Sequence, residues 1–202
     1  LIPRPETEVL VDVALAGVDA ATPNVDGEVR VLEVGVGTGC ISLSIATERP
    51  QTRVYATDLS PQAIALATRN RDALDLQERV ELTECDLVEG VSTELARSFS
   101  VLVSNPPYIP TRVLEQEVPT EVKGFEPELA LDGGEDGLDV YRRLLEAAPH
   151  MLLPGGMFCV ELYEGHLDKA AHLAEEQGVW ESVEVKEDLT HRPRILVARL
   201  AK

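Results

Sequence analysis

Short runs of β-branched and aliphatic residues alternate along the chain with segments of helical periodicity. The runs fall at Val29–Val34, Val54–Thr57, Val80–Thr83, Phe99–Val103, Met157–Leu162, Val183–Val185 and Ile195–Leu200, and each has the length and composition of a strand. Between them, apolar residues recur three and four positions apart, as one buried helix face requires. Val9, Leu10, Val13, Ala14 and Gly17 mark an opening helix; Ile41 and Ile45 a second; Ile64, Ala67 and Leu74 a third. Val140, Leu144 and Ala148 mark a fourth, and Leu167, Ala170, Ala171 and Ala174 a fifth. Ser60-Pro61 is a helix start, with serine at the N-cap and proline at the first helical position, and Pro5 can play the proline's part in the opening helix. Pro154-Gly155-Gly156 reads as a sharp turn into the fifth strand. Such alternation with short connections predicts an α/β fold, Rossmann-like, with a mostly parallel seven-stranded sheet and helices on both faces. The stretch 106–137 stands apart: it is rich in Pro, Glu and Gly and weakly periodic, and loops of that length in compact domains are usually functional or disordered.

Composition narrows the partners. The chain has 202 residues, 18 basic and 36 acidic, for a net charge of −18. One domain of that length buries a sizeable core unaided, so residues 1–202 are expected to form a single domain. Binding to a phosphate backbone draws on Lys/Arg clusters, which such an acidic chain lacks, so no direct nucleic-acid contact is expected. No apolar run approaches the length of a membrane span, and the opening Leu1-Ile2-Pro3-Arg4-Pro5-Glu6 has no signal-peptide core; a cytoplasmic monomer is expected. Cys40, Cys85 and Cys159 are odd in number and far apart, and read as reduced core thiols. His150, His166, His172 and His191 show no ligand spacing, so no metal is expected.

Two constellations carry chemistry. The first strand ends Glu33-Val34-Gly35-Val36-Gly37-Thr38-Gly39 and enters a helix. Glycines there allow a tight turn and close approach of a ligand. Dinucleotide oxidoreductases prefer G-x-G-x-x-G, whose third glycine falls at Cys40 here. A G-x-G-x-G turn preceded by a carboxylate suits instead a nucleotide-type ligand with an amino acid end. Asp58-Leu59 closes strand two, where α/β nucleotide folds bind ribose hydroxyls, although an aspartate before Ser60-Pro61 can also serve the helix start. Asp86-Leu87 closes strand three, where an adenine edge could be met; a plain loop aspartate is the alternative.

The second constellation is Asn105-Pro106-Pro107-Tyr108 at the end of strand four. Two prolines fix the backbone and offer no competing amides, so their carbonyls are rigid acceptors. The Asn105 oxygen beside them makes an acceptor pair for an N–H₂ group, and Tyr108 supplies a flat apolar face. A structural strand-terminating turn is the alternative.

These residues resemble the class I S-adenosylmethionine-dependent methyltransferases that modify amide or exocyclic nitrogens. Leu1 through Glu8 (LIPRPETE), Phe125-Glu126-Pro127, Gly133-Gly134-Glu135-Asp136-Gly137-Leu138 and Asp188-Leu189-Thr190 narrow the likeness to the HemK/PrmC glutamine N5-methyltransferases of peptide chain release factors, across the chain. The resemblance implies an antiparallel last strand, S-adenosylmethionine as methyl donor with S-adenosylhomocysteine as product, and a release factor as partner. It implies that Glu33, Gly35, Val36, Gly37, Thr38 and Gly39 hold the methionine part, Asp58 and Leu59 the ribose, and Asp86 and Leu87 the adenine, with Asn105 between cofactor and substrate. Asn105, Pro106, Pro107 and Tyr108 would meet the glutamine amide. Full-length members carry an N-terminal helical domain before the Ile-Pro-Arg-Pro segment, so that domain is expected to be missing from this chain. Departures are Val36, often Thr; Leu87, sometimes aromatic; and Glu161-Leu162-Tyr163 in place of Glu-Ile/His-Gly. An adenine-N6 methyltransferase would use the same acceptor pair but meet phosphates with a charge of −18, and a non-catalytic cofactor-binding subunit would have no use for the acceptors.

Overall fold

A computed structural model describes residues 4–116 and 127–202. Seven strands form one sheet: β1 (Val29–Val34), β2 (Thr52–Asp58), β3 (Val80–Glu84), β4 (Phe99–Ser104), β5 (Leu152–Glu161), β6 (Trp180–Glu187) and β7 (Pro193–Leu200). Their order is β3-β2-β1-β4-β5-β7-β6. The first five run parallel, and β7 lies antiparallel to both β5 and β6. The expected architecture, including the reversed last strand, is the one observed.

The core follows the two-residue period of the strands. Val31, Val101, Val103, Met157 and Cys159 face one side, where α1 (Glu6–Ala20) and α2 (Cys40–Glu48) bury Leu10, Ala14, Val18, Ile41 and Ile45. Leu32, Leu102, Phe158 and Val160 face the other, under α5 (Asp139–Met151) and α6 (Leu167–Gln177). Helix α3 (Pro61–Ala73) brings Ala67 against Ala56 on the face that α1 and α2 cover, since Ala56 lies two residues from Val54 of that cluster. Strand β4 is buried along its whole length, which is why Val101, Leu102 and Val103 are apolar in succession and do not alternate with polar residues. Trp180 stacks on Phe158, ring centroids 6.0 Å apart, a core role. The edge strands are more polar: β3 exposes Glu81 and Glu84, and β6 exposes Glu181, Glu184 and Glu187.

Several local expectations are corrected. Pro5 is the N-cap of α1, not its first helical residue: the bonded helix begins at Glu6, although Pro5 already has a helical φ of −57°. Leu74 lies just past the end of α3 and is exposed. Pro154-Gly155-Gly156 is not a turn before β5 but an irregularity inside it: Gly155 takes φ +79°, and the register against β4 shifts between Phe99 and Val101. Of the cysteines only Cys159 is core; Cys40 and Cys85 are half-buried.

The 106–137 stretch also holds more structure than its composition suggested. It contains α4 (Thr111–Gln116) and a short 3₁₀ turn at Glu128–Ala130. Residues 131–134 are strapped to 109–111: the Ile109 amide donates to the Leu131 carbonyl at 3.0 Å, and the Gly133 amide to the Ile109 carbonyl at 2.8 Å. Phe125 and Glu126 lie outside the described residues, as do Leu1, Ile2 and Pro3. The glycines of this segment are required by proximity. A Cβ on Gly133 would stand 2.8 Å from Tyr108 Cα; one on Gly137, whose φ is +76°, would stand 2.5 Å from the Tyr108 carbonyl oxygen.

The strap therefore sets where Tyr108 lies. Replacing Gly137 with alanine combines left-handed backbone strain with a backbone clash, an expected loss of about 1–3 kcal/mol. In a domain of this size that lowers the thermal midpoint by roughly 3–10 °C. Calorimetric unfolding of Gly137→Ala checks it, and an unchanged midpoint would contradict the close approach.

Candidate active site

In an open parallel sheet, ligands bind outside the carboxyl ends of the strands where the strand order reverses. Here that point lies between β1 and β4. A cleft of about 260 Å³ opens there, lined by the segments that follow β1, β2, β3 and β4. Glu33, Gly35, Val36, Gly37, Thr38, Asp58, Leu59, Asp86, Leu87, Asn105, Pro106 and Pro107 all line it. Gly39 sits just behind, at the N-cap of α2 with φ +85°. Tyr108 faces a smaller adjoining hollow of about 50 Å³, which shares Asn105, Pro106 and Pro107 with the main cleft and extends to Arg4 and Leu131.

Glu33 is the anchor. It is only 1% exposed, and its Oε2 accepts from the Ser42 amide at 2.9 Å and from the Ser42 hydroxyl. Ser42 is the third residue of α2, whose own N-cap glycine has no side chain to offer. A carboxylate from the neighbouring strand thus satisfies one of the unpaired amides of the helix start. Burial outweighs these bonds and pushes the Glu33 carboxyl up to about 8.

The glycine turn presents its backbone differently from a phosphate cradle. The Gly35 and Val36 amides both donate to the Thr57 carbonyl, at 2.8 and 2.9 Å, and the Gly39 amide donates to the Val36 carbonyl at 2.7 Å. The Gly37 amide donates to Asp58 Oδ2 at 2.9 Å. These four amides are spent inside the protein. What Gly35 and Gly37 offer the cleft is bare space, since a Cβ on either would meet nothing within 4 Å. Asp58 braces this turn and also accepts from the Ser60 amide at 2.8 Å; with two acceptor oxygens it keeps capacity for a ligand hydroxyl. The bond to the Ser60 amide shows Asp58 serving the helix start, and this leaves room for a ligand hydroxyl as well. Asp86 pairs with Arg143 of α5 at 2.8 Å across the cleft mouth. Leu87 adopts a left-handed conformation, φ +47°, and its carbonyl accepts from the Thr57 hydroxyl at 2.6 Å.

At the far wall, Asn105 is held by a residue that sequence reasoning passed over. Its Nδ2 donates to the Thr7 hydroxyl at 3.3 Å, and that hydroxyl donates to Glu161 Oε2 at 2.9 Å. Asn105 Oδ1 is buried and has no hydrogen-bond partner. A buried unpaired acceptor costs on the order of 1–3 kcal/mol, so its persistence beside a cleft marks a place where a donor belongs. The Thr7 signal was present within the Pro-Glu-Thr-Glu run but pointed nowhere without the fold; Glu161 was visible only as a variant of a strand end. Burial raises Glu161 above the usual carboxylate range, opposed by the Thr7 bond and by Arg194. Tyr108 is likewise raised by burial and stays a neutral phenol.

The methyltransferase small domain profile matches residues 16–122. A protein from Clostridium acetobutylicum named release factor glutamine methyltransferase is 37% identical over 201 residues, covering 98% of this chain and 67% of that protein. One of the same name from Geobacter sulfurreducens is 45% identical over 168 residues, covering 83% of this chain and 55% of that protein. The chain thus spans little more than half to two thirds of the length of these relatives. Among solved structures, a methyltransferase from Pyrococcus furiosus superposes with a TM-score of 0.65 at 20% identity, over 95% of this chain and 83% of that one. Among the described residues no helix is long and apolar enough to cross a membrane.

The raised Glu33 carboxyl has a consequence for stability. The native state holds this proton more tightly than the unfolded chain, so its stabilisation is complete below 4.5 and is lost as pH rises through about 8. Glu33→Gln keeps a neutral side chain at every pH. Its thermal midpoint should decline less than that of the wild type over this range, as differential scanning calorimetry at several pH values reports; parallel declines would refute the assignment.

Proposed function

The chain belongs to the release factor glutamine methyltransferase family, with the methyltransferase small domain within it, and from that membership we propose that it methylates the side-chain amide nitrogen of the glutamine in the Gly-Gly-Gln motif of a peptide chain release factor. The observation that carries this reading is the buried, unpartnered Asn105 Oδ1, placed where the two hollows meet. One hollow is large enough for a cofactor; the other, narrow and lined by Pro106, Pro107 and Tyr108, suits a single extended side chain.

The residues of the larger cleft fit S-adenosylmethionine. Glu33, whose two Ser42 bonds both fall on Oε2, would accept from its ammonium group through the other oxygen, a cation there favouring the ionised carboxyl, and the space free of Cβ atoms at Gly35 and Gly37, beside Val36 and Thr38, would admit the methionine part. Asp58 and Leu59 reach the ribose, and Asp86 and Leu87 border the adenine. S-adenosylmethionine supplies an electrophilic methyl group and leaves as S-adenosylhomocysteine.

The amide nitrogen is a weak nucleophile because its lone pair is delocalised into the carbonyl. Asn105 Oδ1 and the Pro106 carbonyl accept its two hydrogens, which turns the lone pair toward the cofactor side and favours pyramidal nitrogen. The same acceptor dipoles stabilise the positive charge that grows on nitrogen. Holding both reactants in line supplies several kcal/mol of the acceleration, on the order of the entropy saved by orientation. The proton leaves after transfer, so no dedicated base is needed. The acidic surface suits a basic, ribosome-binding partner and disfavours a free nucleic acid substrate.

Two measurements test the reading. The full-length protein, given methyl-labelled S-adenosylmethionine, should label a release factor but not its Gly-Gly-Gln variant with alanine for glutamine. Label on both proteins, or on DNA with neither protein labelled, would overturn it. Asn105→Ala should lower turnover on the order of 10²–10³-fold while equilibrium dialysis still shows cofactor bound; near wild-type turnover would exclude the acceptor role.

A further inference from the structure

We infer that Glu161, acting through the hydroxyl of Thr7, determines which end of the Asn105 side-chain amide faces the cleft. Glu161 and Thr7 are thus positioning residues for the amide substrate. The inference rests on the reading that Asn105 Oδ1 receives that amide.

Three distant pieces of chain meet here: Thr7 in the first turn of α1, Asn105 immediately after β4 and Glu161 at the end of β5. Thr7 is 6% exposed and Glu161 1%, so water does not mediate between them. A carboxylate only accepts, and a threonine hydroxyl has one proton to give. With that proton committed to Glu161 Oε2 at 2.9 Å, the Thr7 oxygen can meet Asn105 only as an acceptor. Asn105 must then turn its N–H₂ group to Thr7, at 3.3 Å. The orientation left for Oδ1 is the one observed, buried against the cleft without a partner.

The polarity of this relay depends on the charge of Glu161. When Glu161 gains a proton it can donate to the Thr7 oxygen, and the hydroxyl proton is released toward Asn105. The amide then gains by rotating half a turn, with Oδ1 accepting from Thr7 and Nδ2 entering the cleft. A substrate N–H₂ would meet a second donor there, and no bond can form. Acceptor geometry therefore needs an ionised Glu161.

The groups facing that carboxylate pull in both directions, and burial prevails. Burial raises its affinity for a proton, and Glu6 of α1 adds to this, while the Thr7 bond, Arg194 of β7 and the Asn105 amide oppose it. Tyr108 lies within reach of Glu161, Arg4, Arg194 and Glu6. Arg194 is held at 3.4 Å by Asp188 Oδ2, and Asp188 is fixed in turn by the Thr190 amide and hydroxyl at 2.8 and 2.6 Å. The Asp188-Leu189-Thr190 segment, which is not among the residues that line the cleft, so acquires a place: it aims the cation that favours the ionised form of Glu161.

The test is the pH profile of kcat at saturating cofactor, with the full-length protein and a release factor as substrate. Wild-type kcat should rise with pH to a plateau. Glu161→Gln should give a lower kcat and flatten the acid limb, because a neutral amide no longer dictates the polarity of Thr7. Thr7→Val should lower kcat on the order of 10²-fold, with KM for the release factor and cofactor affinity little changed, and Thr7→Ser should restore most of it. In an Asn105→Ala background, Thr7→Val should cost nothing further, as expected for residues acting through one group. An acid limb that persists in Glu161→Gln, or a Thr7→Val loss that adds fully to that of Asn105→Ala, would overturn the relay. If Thr7→Val turns over like the wild type while Asn105→Ala does not, the relay fails and the acceptor reading stands. If Asn105→Ala itself turns over like the wild type, the acceptor reading has failed instead. Should Thr7→Val not fold, the limb in Glu161→Gln and the recovery in Thr7→Ser decide the matter.

Discussion

The site depends on one carboxylate being where water is not. Glu33, at the end of β1, ties that strand to the start of α2 through Ser42, and so closes the glycine turn between them. With the turn closed, Gly37 reaches Asp58 at the end of β2, and Gly35 and Val36 reach the Thr57 carbonyl. Thr57 in turn reaches the carbonyl of Leu87 beyond β3. The ends of three adjacent strands are thereby bonded to one another before any ligand arrives. A cleft assembled in this way has its shape in advance, which spares a ligand the cost of ordering it.

That arrangement divides the labour of the turn in a manner the glycine pattern alone does not disclose. A phosphate site aims amides at its ligand. Here the amides point into the sheet and the ligand side receives only absence of bulk. The side chains that line the cleft beside that turn are Glu33 and Asp58 on one side and Asp86 with Arg143 on the other. On the reading proposed above, these three acids would suit a ligand with an ammonium or hydroxyls and not a pyrophosphate.

How much of this was legible in the sequence follows from how local each signal is. The strands and helices obey periods of two and 3.6 residues, so the alternating layers and the seven strands could be read directly, as could the Ser60-Pro61 helix start. The glycine turn and Asn105-Pro106-Pro107-Tyr108 were legible because each is contiguous. The Glu161–Thr7–Asn105 relay was not, since its members lie 154 and 98 positions apart and nothing near any of them in sequence announces a partner. Pro154-Gly155-Gly156 misled for the opposite reason: a local turn signature was overridden by the pairing of β5 with β4 on both sides of it. The strap between residues 109–111 and 131–134 was invisible to periodicity, because it is made of backbone bonds that glycine permits and side chains do not specify.

The glutamates on the two outermost strands carry a meaning separate from catalysis. A sheet of seven strands leaves two unpaired edges, each a ready template for another chain. One edge shows Glu81 and Glu84, the other Glu181, Glu184 and Glu187. A second copy docking edge to edge would have to set these carboxylates about 5 Å from their counterparts. Part of the chain's large negative charge thus stands where it opposes the side-by-side pairing that bare edge strands invite.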